Sequence, residues 1–190
     1  MNYLVVGLGN IGSEYAATRH NVGFMVLDAW AQASNAVFES RRYGDLAEVS
    51  WKGRKFYLLK PSTYMNLSGN AVRFWMRKLG LPLEQLIIVS DDLNLPFGTI
   101  RMRKSGSSGG HNGLEHIIET LGSDQFARIR VGIGNDFSQG GQVDYVLGDF
   151  TPEQRASLEE MAGQIAEGIR IFAFSGPEMA MNSLNSKRKA

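Results

Sequence analysis

A glycine-containing segment near the start of the chain carries the first side chains whose types and spacing could do chemistry. Asn10 lies between Gly9 and Gly12, and His20 follows a short polar stretch after them. A neutral imidazole can take a proton from water, and a carboxamide can hold a substrate through uncharged hydrogen bonds. Asn10 and His20 are therefore the first candidates for a reactive site.

The same glycines, together with Gly7, fit the G-x-G-x-x-G pattern of dinucleotide-binding loops. In such a loop the helix begins at the third glycine, so that its N–H groups face a pyrophosphate. Here residues 18–21 are polar, and helical periodicity starts only after them. An acidic ribose ligand is also poorly placed, because Asp28 lies within a helical pattern and Glu39 comes late. A dinucleotide-dependent oxidoreductase is the weaker alternative.

Later segments offer partners for His20. Asn66 lies between a predicted strand and a predicted helix, Asn112 enters another predicted helix, and Asp91 and Asp92 end an apolar strand. α/β sheets commonly place their active groups at such strand ends. If His20 and Asp91 meet, they form a base and the group that orients it, with asparagine amides as neutral donors. This set suits attack of water on an acyl carbon.

Each of these residues also has a structural explanation. Asn66 and Asn112 are natural helix N-caps. Asp91 and Asp92 could belong to a turn with solvated carboxylates, and His20 could satisfy a backbone carbonyl. From the residue types alone these alternatives stay open.

Other reaction classes find less support in the sequence. His111 and His116 are expected to be structural or surface residues, because no acidic partner stands at a metal-binding spacing from them. The chain has no cysteine, which excludes disulfides, thiolate catalysis and Cys-type zinc sites. No metal is therefore expected.

The net charge of +1 does not by itself indicate a nucleic-acid partner. The basic residues are nevertheless grouped along the chain, and these groups could form either a solvated strand face or a phosphate-binding patch. They comprise Arg101, Arg103, Lys104, Arg128, Arg130 and the stretch 187–189.

Alternating helical and strand patterns predict the elements that must position these residues. Short strands are expected at 3–6, 46–50, 54–59, 86–90, 98–103, 127–133 and 143–147, and helices at about 22–30, 67–79, 113–121 and 151–173. The strands 46–50 and 54–59 are predicted to pair as a hairpin. The prediction is a single α/β domain over residues 1–185, with a mixed central β-sheet flanked by helices on both faces. The chain is expected to fray after about Asn182, and residues 186–190 to form a flexible basic tail.

Localisation follows from what the sequence lacks. It contains no run of about 18 apolar residues, as a membrane span would need. Its N-terminus enters a strand directly, without a secretory signal. A cytoplasmic protein with no membrane contact is expected.

Four blocks of sequence closely resemble bacterial peptidyl-tRNA hydrolases. The first comprises Val-Gly-Leu-Gly-Asn at 6–10, Tyr15, and Thr-Arg-His-Asn-Val-Gly-Phe at 18–24. The others are Lys-Pro-Ser-Thr-Tyr-Met-Asn-Leu-Ser-Gly at 60–69, Asp-Asp-Leu-Asn-Leu-Pro-Phe-Gly at 91–98, and Gly-Gly-His-Asn-Gly-Leu at 109–114. The likeness covers nearly the whole chain in the same order. It implies hydrolysis of the ester that joins a peptide to the 3′ end of tRNA, without metal or cofactor, by a monomer that acts in translation.

The resemblance also implies roles for individual residues. The histidine matching His20 is the general base, and the aspartate matching Asp91 hydrogen-bonds to it. Catalytic and substrate-holding asparagines match Asn10, Asn66 and Asn112. Aromatic residues near the 3′-terminal nucleotides and the peptide match Tyr15 and Tyr64. Basic residues that hold the 5′-phosphate end of the acceptor stem match Arg103 and Arg130.

Two positions depart from the family pattern. Ile11 stands where the family usually has proline, and Asn94 where it often has aspartate. Neither change touches the expected base. The alternative hypothesis is a non-catalytic RNA-binding protein on the same scaffold. The presence of both His20 and Asp91 disfavours it.

Overall fold

Seven strands form one sheet in the computed structural model, which describes residues 1–186. The strands are β1 (Asn2–Gly7), β2 (Glu39–Arg41), β3 (Gly44–Trp51), β4 (Arg54–Pro61), β5 (Leu86–Asp92), β6 (Ile100–Arg103) and β7 (Ala127–Gly132). Their order is β2-β3-β4-β1-β5-β7-β6. β1 pairs in parallel with β4 and β5, and β5 with β7, while the remaining pairs are antiparallel. The predicted mixed sheet is confirmed.

Six α-helices accompany the sheet in the part of the chain that the structure describes. They are α1 (Val22–Ala33), α2 (Ser68–Leu79), α3 (Asn112–Leu121), α4 (Gln142–Val146), α5 (Pro152–Ser175) and α6 (Pro177–Ser186). The start of α5 follows directly from its sequence, because Thr151 and Gln154 form a capping box through two reciprocal hydrogen bonds of 3.1 Å. Among residues 1–186, no helix is both long and apolar enough to cross a bilayer.

Two hydrophobic cores cover the two faces of the sheet, as the sequence predicts. Alternate side chains of each central strand point to opposite faces. Val5, Ile87 and Ile129 face a core that α1, α5 and α6 complete. Leu4 and Ile88 face the second core, which α2 and α3 complete. Helices therefore flank both faces of the sheet.

Two sequence-based predictions about elements are wrong, and one strand was missed. The stretch 143–147 alternates apolar and polar residues like a strand, but it forms α4 and leaves Val143 exposed to 65%. β2 was not predicted, since its three residues are polar and exposed and only pairing with β3 makes them a strand. The chain does not fray after Asn182, because α6 continues to Ser186. The remainder of the predicted tail, with its basic stretch 187–189, lies outside the described residues.

One edge of the sheet gathers the ends of several strands, and we call it the carboxyl edge. The parallel strands β1, β4, β5 and β7 all end there. β3 runs the other way and begins there, because Gly44 pairs with Pro61. Active groups of α/β folds collect at such an edge.

A close approach of backbones holds the start of α1 against the end of β1. A Cβ atom added at Gly7 would lie 2.2 Å from the carbonyl oxygen of Gly23, and one at Gly23 would lie 2.4 Å from the Leu8 nitrogen. Only glycine at both positions allows this contact. Since His20 lies in the 3₁₀ turn Arg19–Asn21 just before α1, the contact fixes His20 at the carboxyl edge.

Candidate active site

His20 and Asp91 contact each other although 71 positions separate them in the chain. The His20 Nδ1 atom lies 2.8 Å from Oδ2 and 3.0 Å from Oδ1 of Asp91. Asp91 is 5% exposed at the end of β5. A carboxylate can only accept hydrogen bonds, so Nδ1 of His20 carries the proton. The Nε2 atom of His20 keeps its lone pair and can accept a proton from water.

His111 is a second partner of Asp91, and the sequence-based prediction that it lacks an acidic partner is wrong. Its Nε2 atom lies 2.9 Å from Asp91 Oδ1. Its Nδ1 atom accepts hydrogen bonds from the backbone N–H groups of Gly113 and Leu114, at 3.1 and 3.3 Å. The imidazole thus caps α3. Because Nδ1 accepts these hydrogen bonds with its lone pair, the proton of the neutral ring is on Nε2. His20 and His111 therefore donate to one carboxylate from opposite ring nitrogens.

This arrangement stabilises the ionised form of Asp91. Burial would raise the pKa of its carboxyl group, but the imidazoles of His111 and His20 outweigh burial and hold that pKa well below its ordinary value. Asp91 is consequently an anion across the neutral pH range. It can orient His20 and stabilise the imidazolium that forms when His20 takes a proton.

The same three residues have metal-like spacing, since ligand atoms of His20, Asp91 and His111 lie within 4.8 Å of one another. A metal on His111 would need the Nε2 lone pair, and that nitrogen carries a proton in the capping tautomer. Moving the proton to Nδ1 would break both hydrogen bonds at the start of α3. The hydrogen bonding thus favours a site that handles protons over one that holds a metal.

Asn10 links the first loop to the turn that carries Asn66. Its backbone N–H donates to Oδ1 of Asn21 at 2.8 Å, and Nδ2 of Asn21 donates to the Asn10 carbonyl at 2.9 Å. The Oδ1 atom of Asn10 accepts from the Met65 N–H at 2.9 Å. Asn21, 1% exposed, is a site residue that sequence reasoning missed, although it stands directly after His20 in the first block.

The capping explanation for Asn66 and Asn112 is wrong. The N-cap position of α2 is Leu67, and that of α3 is His111. Asn66 and Asn112 are both exposed, and within residues 1–186 their carboxamides have no hydrogen-bond partner. Both amides are available to a substrate.

The two tyrosines flank this region. Tyr15 is half-buried in the turn Ser13–Tyr15. Tyr64 is 70% exposed and directly precedes Met65, whose N–H binds Asn10. His116 is structural, as predicted, because its Nδ1 atom accepts from the Gly69 N–H at 2.9 Å and so joins α3 to α2.

The arginines of β6 and β7 share one face of the sheet, because Arg101 pairs across with Arg130 and Arg103 with Arg128. Arg128 is 1% exposed and donates to four backbone carbonyls around it. Burial lowers the pKa of its guanidinium, although an arginine keeps its charge at neutral pH. Arg128 therefore supports the loop that precedes α3, a role that the sequence did not indicate.

Arg103 and Arg130 reach the same cavity as His20. This cavity, which we call the central cleft, has a volume of about 330 Å³, and its wall includes His20, Asp91, Arg103, Asn112 and Arg130. Arg103 is exposed, while Arg130 donates to Oδ2 of Asp92 at 2.9 Å. The cleft therefore joins a proton-accepting imidazole, a free carboxamide and two cations.

A family model described as peptidyl-tRNA hydrolase matches residues 4–190. The chain belongs to the peptidyl-tRNA hydrolase family. The family assignment confirms the resemblance that the four sequence blocks indicate. The oxidoreductase alternative is not supported, since no α-helix opens at Gly12 and the first one begins only at Val22.

Relatives in the peptidyl-tRNA hydrolase family align over almost the full chain. The peptidyl-tRNA hydrolase of Phocaeicola vulgatus is 57% identical over 98% of this chain and 100% of its own length. That of Bacteroides fragilis is 55% identical, with the same coverage. The crystal structure of peptidyl-tRNA hydrolase from Acinetobacter baumannii superimposes with a TM-score of 0.92 at 32% identity, covering 99% of this chain and 96% of that one.

Proposed function

We propose that this chain hydrolyses the ester between peptide and tRNA in peptidyl-tRNA, with His20 as the general base. The observation that carries the proposal is the hydrogen bond from Nδ1 of His20 to the buried Asp91, which leaves Nε2 as the basic atom at the central cleft. An ester carbonyl is more electrophilic than the peptide's amides. One activated water is therefore sufficient as the nucleophile.

The reaction follows from this geometry in two steps. Nε2 of His20 takes a proton from water while the oxygen attacks the ester carbonyl carbon, and a tetrahedral oxyanion forms. Collapse of the oxyanion breaks the bond to the 3′ oxygen of the tRNA, which takes the proton back from the imidazolium. Asp91 stays ionised throughout and stabilises the imidazolium. Every step uses side chains of this chain, so we propose no metal and no cofactor.

Asn112 is the best-placed donor for the oxyanion. It follows His111 directly, lines the central cleft, and its carboxamide has no partner within residues 1–186. The alternative donors are the backbone N–H groups of Gly109 and Gly110, of which that of Gly110 already binds the Ser108 hydroxyl at 3.2 Å. One donor of this kind contributes about 2.7–4 kcal/mol to lowering the barrier.

The two other asparagines and the two tyrosines are assigned to substrate binding. Asn10 and Asn66 would hold backbone amides of the peptide, which every peptide sequence shares. Tyr15 and Tyr64 would contact the 3′-terminal nucleotides and the adjoining peptide residues through their rings. Asn10 also serves catalysis by fixing the loop that leads to His20.

The tRNA body would lie on the β6–β7 side of the cleft, where Arg103 and Arg130 bind phosphates of the acceptor stem. Asp92 holds Arg130 in place before the substrate arrives. We propose that the chain acts as a monomer. Because peptidyl-tRNA arises during translation, we propose the cytoplasm as the location.

Replacing the base tests the proposal. His20→Ala should lower kcat by about 10²- to 10⁴-fold, the usual contribution of a general base, while tRNA binding persists. The assay is release of an N-acetylated amino acid from N-acetyl-aminoacyl-tRNA. His116→Gln is the matched control, because His116 binds the Gly69 backbone and does not line the cleft. Near-parental turnover by His20→Ala would refute the assignment.

A further inference from the structure

A second basic surface begins at the carboxyl edge, at Tyr43, and extends along α2 to its last turn, on the opposite side of His20 from Arg103 and Arg130. We call it the α2 groove. Its lining residues are Tyr43, Asn70, Arg73, Phe74, Arg77 and Lys78. Tyr43 stands in the turn between β2 and β3, and the others lie on the exposed side of α2.

The cations of this surface have no acidic partners. Arg73, Arg77, Lys78 and the neighbouring Arg42 are exposed, and within residues 1–186 no carboxylate lies within 4.0 Å of them. The position of Arg77 and Lys78 in the last turn of α2 explains their presence, because cations there interact favourably with the negative end of the helix dipole. It does not account for Arg42 or Arg73.

Aromatic rings form the floor between these charges. The rings of Tyr43 and Phe74 meet edge to face with centroids 5.4 Å apart. The Arg42 guanidinium lies 5.3 Å from each centroid. Tyr43 keeps a positive φ of 64°, which a bulky side chain rarely adopts. A surface with unpaired cations and rings fits an acidic or aromatic side chain of a ligand.

Strand order gives the distance from the reacting ester to the near end of this surface, the turn with Tyr43. Asp91 ends β5, and the turn with Tyr43 precedes β3, three strands away in the order β5-β1-β4-β3. Three strand spacings amount to about 14 Å. An extended peptide covers that distance in about four residues. The path passes Asn10 and the turn Met65–Leu67, which leads directly into α2.

We infer that the α2 groove binds the nascent peptide about four residues from the ester and favours acidic side chains there. This inference rests on the proposed function, which puts the acceptor stem on the β6–β7 side and so directs the peptide toward β4 and β3. The groove makes the enzyme selective among peptidyl-tRNAs, whereas Asn10 and Asn66 bind any peptide backbone.

Three substrates on the same tRNA test the inference at low salt. Two carry N-acetylated pentapeptides that differ only at the fourth residue from the ester, which is aspartate or lysine. The third is N-acetyl-aminoacyl-tRNA, which is too short to reach the groove. The parent should show a KM about two- to fivefold lower for the aspartate peptide than for the lysine peptide, the range for exposed charge pairs.

Paired variants then assign the preference to the groove. Arg42→Gln with Arg73→Gln should abolish the difference, and Arg42→Glu with Arg73→Glu should invert it, while hydrolysis of the short substrate stays parental. Arg155→Glu on α5 changes the net charge by the same amount as the glutamine pair, so it is the matched control for that pair and should leave the preference unchanged. Equal KM values for both peptides in the parent would overturn the inference. An equal loss on all three substrates in the variants would also overturn it, and would place tRNA on this surface. Failure of the parent on the short substrate would contradict the proposed function instead.

Discussion

At the residue scale, the chemistry of the site depends on the Asp91 carboxylate, which accepts hydrogen bonds from two histidines. His20 donates from Nδ1 and His111 donates from Nε2. His20 retains a free lone pair toward the cleft, whereas both nitrogens of His111 are committed to Asp91 and to the start of α3. Two histidines on one carboxylate therefore have unequal tasks. Of the two, only His20 keeps a ring nitrogen without a partner within residues 1–186.

Asp91→Asn should lower kcat by about 10²- to 10⁴-fold, because the neutral amide can present an N–H to Nδ1 of His20 and no longer stabilises the imidazolium. Asp92→Asn is the control, since Asp92 binds Arg130 and the Asn94 N–H rather than a histidine. It should leave kcat on a small ester substrate unchanged. Equal losses in the two variants would show that Asp91 does not orient the base.

The lowered pKa of Asp91 predicts the pH dependence of the stability difference between parent and Asp91→Asn. A carboxyl group with a depressed folded-state pKa stabilises the fold fully above its unfolded pKa of about 4, and loses that contribution as the pH falls further. The parent should be more stable than Asp91→Asn at neutral pH, and the gap should narrow below about pH 4. Thermal unfolding of both proteins from pH 7 to pH 3 measures this stability gap. A gap that stays constant down to pH 3 would contradict the prediction.

The sequence predicts part of the site because strand ends and glycine loops have recognisable patterns. His20, Asp91 and Asn10 stand at such places, so their types and positions are informative. His111 was placed among structural residues because its acidic partner lies 20 positions away on another element. Spacing rules for ligands detect local pairs, and this pair exists only after β5 and the loop before α3 have packed together.

At the scale of elements, α3 begins with an unusual cap, and the cap couples helix stability to the active site. Asparagine caps helices well but is too short to cap α3 and also reach Asp91. His111→Asn should therefore retain most of the stability and lose about tenfold in kcat, the effect of one hydrogen bond to a charged group. His111→Ala should show the same loss in kcat.

The alanine variant separates the two roles of His111. Losing the cap costs about 0.5–2 kcal/mol, so His111→Ala should also unfold at a lower urea concentration than His111→Asn. Urea unfolding and kcat measured on both variants check this. A parental kcat in His111→Asn would mean that the contact with Asp91 does not matter for turnover.

Elements with a clear internal pattern were predictable, and those defined by a partner were not. The capping box of α5 and the apolar run of β5 specify their own structure. β2 exists only because β3 pairs with it, and α4 has the alternation of a strand without a neighbouring edge to join. Local patterns carry no information about available pairing partners.

The charge distribution of the whole molecule predicts its salt dependence. Arg103→Ala and Arg130→Ala should each weaken tRNA binding and reduce the slope of log K against log salt by about 0.7–0.9 per lost phosphate contact. Hydrolysis of a small ester that lacks tRNA should not change. Arg155→Ala on α5 is the control. An unchanged slope after both replacements would mean that other residues bind the phosphates.

The strand order has a consequence for how this chain is made. β1 is the first strand to be synthesised, yet it is the middle strand and pairs with β4 and β5. Tyr3 through Gly7 are buried only when both neighbours are in place, and β5 ends at Asp92. At ribosomal rates of about 5–20 residues per second, an apolar strand waits roughly 4 to 17 seconds for its second neighbour. The topology that unites Asn10, His20 and Asp91 therefore leaves the growing chain most exposed to aggregation before its central sheet can close.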